Sequence, residues 1–310
     1  MRSYFIVLAT AAALTVVVTS LASWLLDPYG IGHALSGRLL LQPNDRASKT
    51  AFLAKNCNRF DSYIMGNSRT LILSGTELAG GAGDRYYNLG VPAEEIGQSL
   101  KRLEFLLRVG CPVSRLLVSE SIEILAYPNP ASLQDMEHPL IAGGNLYSFY
   151  GKYFLGPQGA IAYVRSRFNP TTRPMFYYPD GHMDSLWEMK SDAEYAIPIC
   201  VTSRLSAKDK EELFGRLPIY RKFAALADQH HVKVVVWLTP LSKARSVALR
   251  DPDVDRYIAE LHRIPGLAVF EADRSSPLLS DFHQWHDCSH FHRALFDQLV
   301  APSVTRMLHE

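Results

Sequence analysis

Asp61, Ser62, Tyr63, Ile64, Met65, Gly66, Asn67, Ser68, Arg69 and Thr70 form the stretch on which the reading of this chain turns. Ser62 to Met65 is a short run of β-forming residues, and Gly66, Asn67 and Ser68 break the strand pattern. A hydroxyl on a strand-to-helix turn stands at the carboxyl end of a sheet, near backbone N–H groups. In open α/β sheets that crevice is where ligands bind. Ser68 is therefore a candidate nucleophile, and it needs a base and an orienting acid from elsewhere in the chain. An ordinary polar turn is the other reading of the same ten residues.

Outward from this turn, short apolar strands alternate with amphipathic helices. Tyr86 to Asn88 reads as a strand followed by Gly90, and Ala93 to Arg108 as a helix with Ile96, Leu100, Leu103, Leu106 and Leu107 at helical spacing. Leu116 to Val118 is a buried strand ending at Ser119, Glu120 and Ser121. Ala207 to His230 is helical with an interruption near Pro218, and Val232 to Leu238 is the strongest central strand. Asp253 to Ile264, Leu267 to Phe270 and Phe291 to Leu308 then read as helix, strand and helix. This alternation predicts an α/β fold with a mainly parallel sheet covered on both faces, a three-layer α/β/α sandwich of flavodoxin-like type.

From Ala126 to about Leu205 the pattern is irregular and rich in aromatics and prolines. It reads as an insertion over the carboxyl edge of the sheet, as a lid or substrate wall, or as a second structural layer. Within it Asp180, Gly181 and His182 lie at a turn that either reaches the pocket or is solvated.

The amino-terminal end is different. Tyr4 to Leu26 holds no charged residue and is long enough to span a bilayer. Arg2 precedes it, which keeps the amino end cytoplasmic. Ser20 to Ala22 offers a small-x-small cleavage site, but the apolar run continues through Trp24, Leu25 and Leu26, which favours an uncleaved anchor over a signal peptide. The expected organisation is an anchor at 1–29 and one extracytoplasmic domain at 30–310 carrying the insertion at about 126–205.

The chain of 310 residues is 47% hydrophobic and 20% charged, with a net charge of +1, so a basic nucleic-acid-coating protein is excluded. Outside the cytoplasm its four cysteines (Cys57, Cys111, Cys200 and Cys288) are free to pair, and their spacing matches no zinc pattern. Cys57 and Cys111 each precede a strand; they are either a disulfide or buried thiols.

The second half of the chemistry lies close to the end of the chain, in Trp285, His286, Asp287, Cys288, Ser289, His290 and Phe291. An aspartate three residues before a histidine, on a loop entering a helix, can hold the imidazole through Nδ1 and leave Nε2 to face a serine. With Gly66-Asn67-Ser68 after the first strand and Asn88-x-Gly90 after the second, this order resembles the SGNH, or GDSL-like, hydrolase superfamily over residues 60–125 and 230–308. The resemblance implies Ser68 as nucleophile, His290 as base and Asp287 as the acid that orients it. It also implies that the N–H groups of Ser68 and Gly90 form an oxyanion hole. Asn67 stands where the family often has aspartate. No Gly-x-Asn-Asp follows the third strand, so the third oxyanion donor is missing or replaced by Ser119 or Ser121. Asn67, Asn88 and Arg69 are candidate substrate contacts, Arg69 for an acidic sugar or equally for packing.

The anchor, the turn at Asp27 to Gly30 and Gly66 to Thr70 together resemble the membrane-anchored branch of this superfamily. Its relatives include proteins of alginate O-acetylation and teichoic-acid D-alanylation that work beside membrane-bound O-acyltransferases. That resemblance implies an esterase or O-acyltransferase acting on an acylated envelope or secreted polysaccharide. It implies a single-pass protein of the inner membrane with a periplasmic carboxyl-terminal domain and no cofactor. The alternative is a non-catalytic scaffold or carbohydrate-binding protein that assists such an acyltransferase. Two weaker patterns complete the set: a histidine and aspartate cluster (His283, His286, His290, His292, Asp281 and Asp287) with no fixed metal-ligand spacing, and Glu120 with Glu123 as a glycosidase pair.

Overall fold

A computed structural model describes residues 2–27, 29–32, 38–40, 44–80, 83–122, 136–168, 175–185, 205–242, 250–286 and 290–310. Asp287, Cys200, Cys288 and Glu123 lie outside the described residues. In chain order the elements begin with α1 (Arg2–Leu26), β1 (Arg38–Leu40), α2 (Asp45–Asn56), β2 (Ser62–Met65), β3 (Tyr86–Asn88), α3 (Ile96–Arg108) and β4 (Arg115–Glu120). They continue with α4 (Pro139–Ala142), α5 (Leu146–Phe154), α6 (Gln158–Phe168), β5 (Met175–Tyr177), β6 (Met183–Ser185), α7 (Ala207–Gly215) and α8 (Leu217–Gln229). The carboxyl-terminal part holds β7 (Lys233–Leu238), α9 (Pro252–His262), β8 (Leu267–Glu271), α10 (Arg293–Leu299) and α11 (Ala301–His309). They fall into two compact units, one drawn from Met1–Lys55, Ala131–Pro179 and Asp184–Leu186, the other from Asn56–Pro130, Asp180–Met183 and Trp187–Glu310.

The second unit is built on a five-stranded sheet in the order β3-β2-β4-β7-β8, every pair parallel. Parallel neighbours require crossovers, and helical segments supply them between β3 and β4, β4 and β7, and β7 and β8. The side chains of β2 are buried throughout, as are those of β4 and β7 after their first residue, which explains why these strands read as unbroken apolar runs. The chain leaves β2 for β3 on one side and returns to β4 on the other. The order therefore reverses at β2, and the turn holding Ser68 sits at this switch point. Ile64, Leu117, Val235 and Trp237 form a core with Phe291, Leu295, Phe296 and Val304. Trp237 meets Phe291 and Phe296 edge-on at 5.8 and 5.1 Å. Cys57 and Cys111 form a disulfide, tying the turn before β2 to the segment between α3 and β4.

Three helix boundaries differ from the periodic reading for local reasons. Helix α3 starts at Ile96 because Ala93 has a φ of 53° and Glu95 caps the first turn with Gln98. Pro218 lies in the first turn of α8, so the interruption is a new helix start. The last helix is two helices, with Pro302 in the first turn of the second.

In the first unit an 18-residue stretch of α1 has a mean hydropathy of 2.3, and the helix is long and apolar enough to cross a membrane. The buried Asp27 carboxylate accepts from the N–H groups of Ile31 and Gly32, each at 3.0 Å, and closes the turn that follows α1. Of the aromatic stretch, the described residues 136–168 and 175–179 belong to this unit. Asn44 donates to Met136 O and the Tyr153 hydroxyl, both at 2.9 Å, Arg46 pairs with Glu137 at 3.3 Å, and the Tyr177 hydroxyl donates to Asp45.

His138 in this unit is buried, accepts the Leu140 N–H at Nδ1 (3.2 Å) and meets the Tyr150 hydroxyl through Nε2 (3.3 Å). The Nδ1 bond assigns the proton of the neutral ring to Nε2. Burial pushes its pKa down to about 4. The unfolded chain takes a proton on this residue near pH 6.5, whereas the folded chain does not until about 4. Stability supplied by the neutral ring is therefore complete above about 6.5 and is lost as pH falls from there toward 4. Thermal unfolding at pH 7.5 and 4.5 should show a smaller acid-induced drop in His138→Gln than in the wild type.

Candidate active site

After Met65 the chain turns at Gly66, whose φ is 134°. Asn67 then caps a short 3₁₀ helix, Ser68–Thr70, its Oδ1 accepting the Arg69 N–H at 3.0 Å while the Thr70 hydroxyl donates to Asn67 O at 2.8 Å. These bonds place Ser68 at the start of a tight turn with its side chain part-exposed. Its Oγ lies 2.7 Å from Nε2 of His290. The histidine comes from a loop closed at its base by backbone pairing of Trp285 with Phe291 and by the His286 N–H to His290 O bond of 2.7 Å. Phe291 is buried against Trp237, so the loop is pinned to the core one residue after His290. The His286 and His292 rings lie with centroids 3.7 Å apart, tilted by 49° to each other. Two residues separated by 222 positions are thus within hydrogen-bond distance. Asp287, expected to orient the imidazole, lies outside the described residues.

The other predicted site residues take different parts. Ser119 Oγ accepts the Asn67 N–H at 3.3 Å, and a Cβ on Gly66 would stand 1.9 Å from that Oγ and 2.8 Å from the Ser119 Cβ. Ser119 thus backs the Ser68 turn, and only glycine fits opposite it. Gly66→Ala combines this clash with an unfavourable φ, at a cost of about 2 kcal/mol or more. The variant should melt several degrees lower and react more slowly at Ser68 than wild type, as followed by calorimetry and active-site labelling.

Asn88 was expected to meet substrate. It is fully buried: Nδ2 donates to Thr70 O at 2.5 Å and Leu73 O at 2.9 Å, and Oδ1 accepts the Gly90 N–H at 2.9 Å. Its geometry makes it a brace for the loop that follows Ser68. The Gly90 N–H is accordingly turned onto Asn88, whereas the Ser68 N–H has no hydrogen-bond partner among the described residues. A Cβ on Gly90 would come within 2.1 Å of Thr70 Oγ1, so glycine allows this close approach. Asn67 is buried, with Nδ2 unpartnered, an orphan donor directly before the candidate nucleophile.

Arg69 is buried and donates from Nη1 to the Thr239 hydroxyl at 2.9 Å and to the Ser121 hydroxyl, which ties the Ser68 turn to the ends of β4 and β7. Of its two sequence readings, the packing one describes these bonds. Glu120 is buried with both oxygens engaged, Oε1 by Arg216 Nη1 at 2.6 Å and Oε2 by the Tyr220 hydroxyl at 2.8 Å. Burial, and after it Glu120, pushes the Tyr220 hydroxyl well above its ordinary pKa, so it remains a donor. An ion pair of this kind is structural and corrects the glycosidase reading of Glu120.

Of the two readings of Asp180 to His182, the solvated turn is not what the structure shows. Asp180 O accepts the Asn88 N–H at 2.6 Å, its carboxylate accepts from the Ser74 hydroxyl and the Gly75 N–H at 3.1 Å each, and the Met183 N–H donates to Leu71 O at 2.8 Å. His182 Nδ1 bonds the same carboxylate. Burial alone would raise the Asp180 pKa, but the bonds from His182 and Gly75 outweigh it and hold the carboxyl below its usual range. The segment therefore fastens both loops on the Ser68 side of the sheet. Sequence reading missed it because those bonds join a side chain to distant backbone, which leaves no periodic signal.

A cavity of about 320 Å³ opens at the carboxyl ends of β4, β7 and β8, lined among others by Ile122, Thr239, Pro240, Leu241, Glu271 and Arg274. Its wall includes Thr239, whose hydroxyl Arg69 holds, and does not include Ser68 or His290. Among the described residues no group of three or more His, Cys, Asp or Glu side chains is placed to hold a metal ion. No protein-family model and no curated protein matches the chain.

Proposed function

We propose that this chain is an SGNH-like, serine-dependent O-acyl esterase or O-acyltransferase, acting on an acylated cell-envelope or secreted polysaccharide. The observation that carries the reading is the 2.7 Å contact between Ser68 Oγ and His290 Nε2. It lies at the switch point of a parallel sheet, where small ligands bind. In this reading Ser68 Oγ attacks an ester carbonyl as Nε2 of His290 takes its proton. The Ser68 N–H stabilises the oxyanion, and the Gly90 N–H joins it by swinging from Asn88 Oδ1. His290 returns the proton to the departing alkoxide, leaving an acyl-serine. Water, or a sugar hydroxyl, then attacks with His290 again as base. Asp287 orients the imidazole from the same loop, and the cavity beside Thr239 takes part of the substrate. The three-layer arrangement, the periplasmic placement of the Ser68 domain, the inner-membrane location and a membrane-bound O-acyltransferase as partner belong to the same proposal.

A second reading, a non-catalytic scaffold of the same fold, is favoured by the Gly90 N–H being occupied by Asn88 and by the lack of a Gly-x-Asn-Asp motif after β4. The two separate on one assay. Purified protein incubated with an acetylated polysaccharide, with and without a second glycan as acceptor, should release acetate or move it to the acceptor. A folded protein that binds the glycan while doing neither supports the scaffold.

A further inference from the structure

Helix α1 is covered only near its end. Residues 2–18 are exposed, while Thr19, Ser20, Ala22 and Ser23 are half-buried or buried. What covers them is the hairpin of α5 and α6, which packs on α1. The contact is polar where the chain turns. The Gly156 N–H donates to Ser20 Oγ at 3.0 Å, Ser23 Oγ donates to Gly156 O at 2.9 Å, and the Ala160 N–H donates to Ser23 Oγ at 3.2 Å. A Cβ on Gly159 would stand 2.9 Å from the Ser23 Cβ, so a glycine lets the two backbones approach. Trp24 meets Phe154 edge-on at 4.8 Å.

These are the features that a non-helical turn needs in hydrocarbon: its N–H and C=O are satisfied by serines of a neighbouring span, and small residues line the contact. The outer surface of the hairpin agrees. Leu155 at the turn is 67% exposed, and along α6 Ile161, Val164 and Phe168 are 46, 52 and 80% exposed at helical spacing. Lys152, Arg165 and Arg167 are exposed as well, and no acidic residue occurs between Glu137 and Asp180.

Helix α1 runs without charge to Asp27, with Leu21 and Leu25 exposed near its end, so burying these leucines carries the hydrocarbon boundary up to Leu26. At about 1.5 Å per residue, Ser20 and Ser23 then lie roughly 5–10 Å below that boundary. The Gly156 turn is bonded to them and lies at the same depth.

We propose that the α5–α6 hairpin is embedded in the bilayer beside the end of α1, with lipid acyl chains on Leu155, Ile161 and Val164 and anionic headgroups on its arginines and lysine. The occupant of this apolar face is lipid, because the face is continuous with the span and its charge is purely basic. The proposal rests on α1 crossing the membrane and is independent of any chemistry at Ser68.

The full chain, with Cys200 and Cys288 replaced by serine, is reconstituted in nanodiscs containing anionic lipid. Single variants Ile161→Cys, Val16→Cys and Lys222→Cys carry an environment-sensitive fluorophore. At position 161, doxyl-labelled lipid should quench strongly and aqueous iodide several-fold less than at position 222, as at position 16. Iodide quenching at 161 equal to that at 222, with lipid quenching at 16, overturns the hairpin's insertion while leaving the anchor intact. Lipid quenching absent at both 16 and 161 overturns the span on which the proposal rests. Protection from iodide at 161 without lipid quenching also overturns it, and shows instead a second copy or a membrane protein on this face.

Discussion

Ser68→Ala is expected to lower turnover of an activated ester by roughly 10⁴- to 10⁶-fold, and His290→Ala by a comparable factor. The reason is the 2.7 Å contact between them: neither atom does the chemistry alone, so losing either forfeits nearly the whole effect. The double variant should be little worse than either single one, which kinetics on all three proteins will read. Their melting temperatures should stay close to wild type, because the Ser68 side chain is part-exposed and the turn is held by Asn67, Asn88 and Ser119 instead. If either variant retains wild-type turnover, the pair is not the reacting pair.

Arg216→Met should give the largest loss of stability among single changes near the sheet's carboxyl end. Arg216 is buried and reaches Glu120 at 2.6 Å, with Glu212 at 3.7 Å as a weaker second partner. Burial opposes its charge, but Glu120 more than offsets this and holds the guanidinium protonated. Without Arg216 the Glu120 carboxylate stays buried beside the Tyr220 and Tyr257 hydroxyls with its ion-pair partner gone, at a cost of about 3–5 kcal/mol. That corresponds to a fall of about 10 °C in melting temperature for a unit of this size. Adding Glu120→Gln removes the stranded charge and should recover much of the loss, a non-additivity that calorimetry on the two singles and the double will show. An unchanged melting point in Arg216→Met would mean that water reaches Glu120.

The fold's outline was legible because parallel strands and their crossovers leave periodic signals. Val232 to Leu238 and Leu116 to Val118 read as buried runs, and α3 as an amphipathic helix. The turn at the carboxyl end of the first sheet strand followed from the Gly66 to Ser68 break, whereas its place at the switch point depends on strand order, which leaves no local signal. The disulfide was one of two readings of the cysteines. Helix starts at Ile96, Leu217 and Ala301 were less legible because capping bonds and a proline's position within the first turn, not hydrophobic period, decide them. At the site, Ser68 and His290 could be named from residue type and chain order. The supports could not, since Asn88 to Thr70 O, Ser119 to Asn67 N and Asp180 to Gly75 N join side chains to backbone groups far apart in sequence. Glu120 likewise reads as a free acid until the fold brings Arg216 to it across 96 positions.

The most direct test of an activated serine is reaction of the folded protein with a fluorophosphonate probe, followed by peptide mass spectrometry. The account predicts a single phosphonyl adduct on Ser68, absent in Ser68→Ala and strongly reduced in His290→Ala. A protein shown to be folded by calorimetry that gives no adduct, or one whose labelling of Ser68 is indifferent to His290, would contradict it.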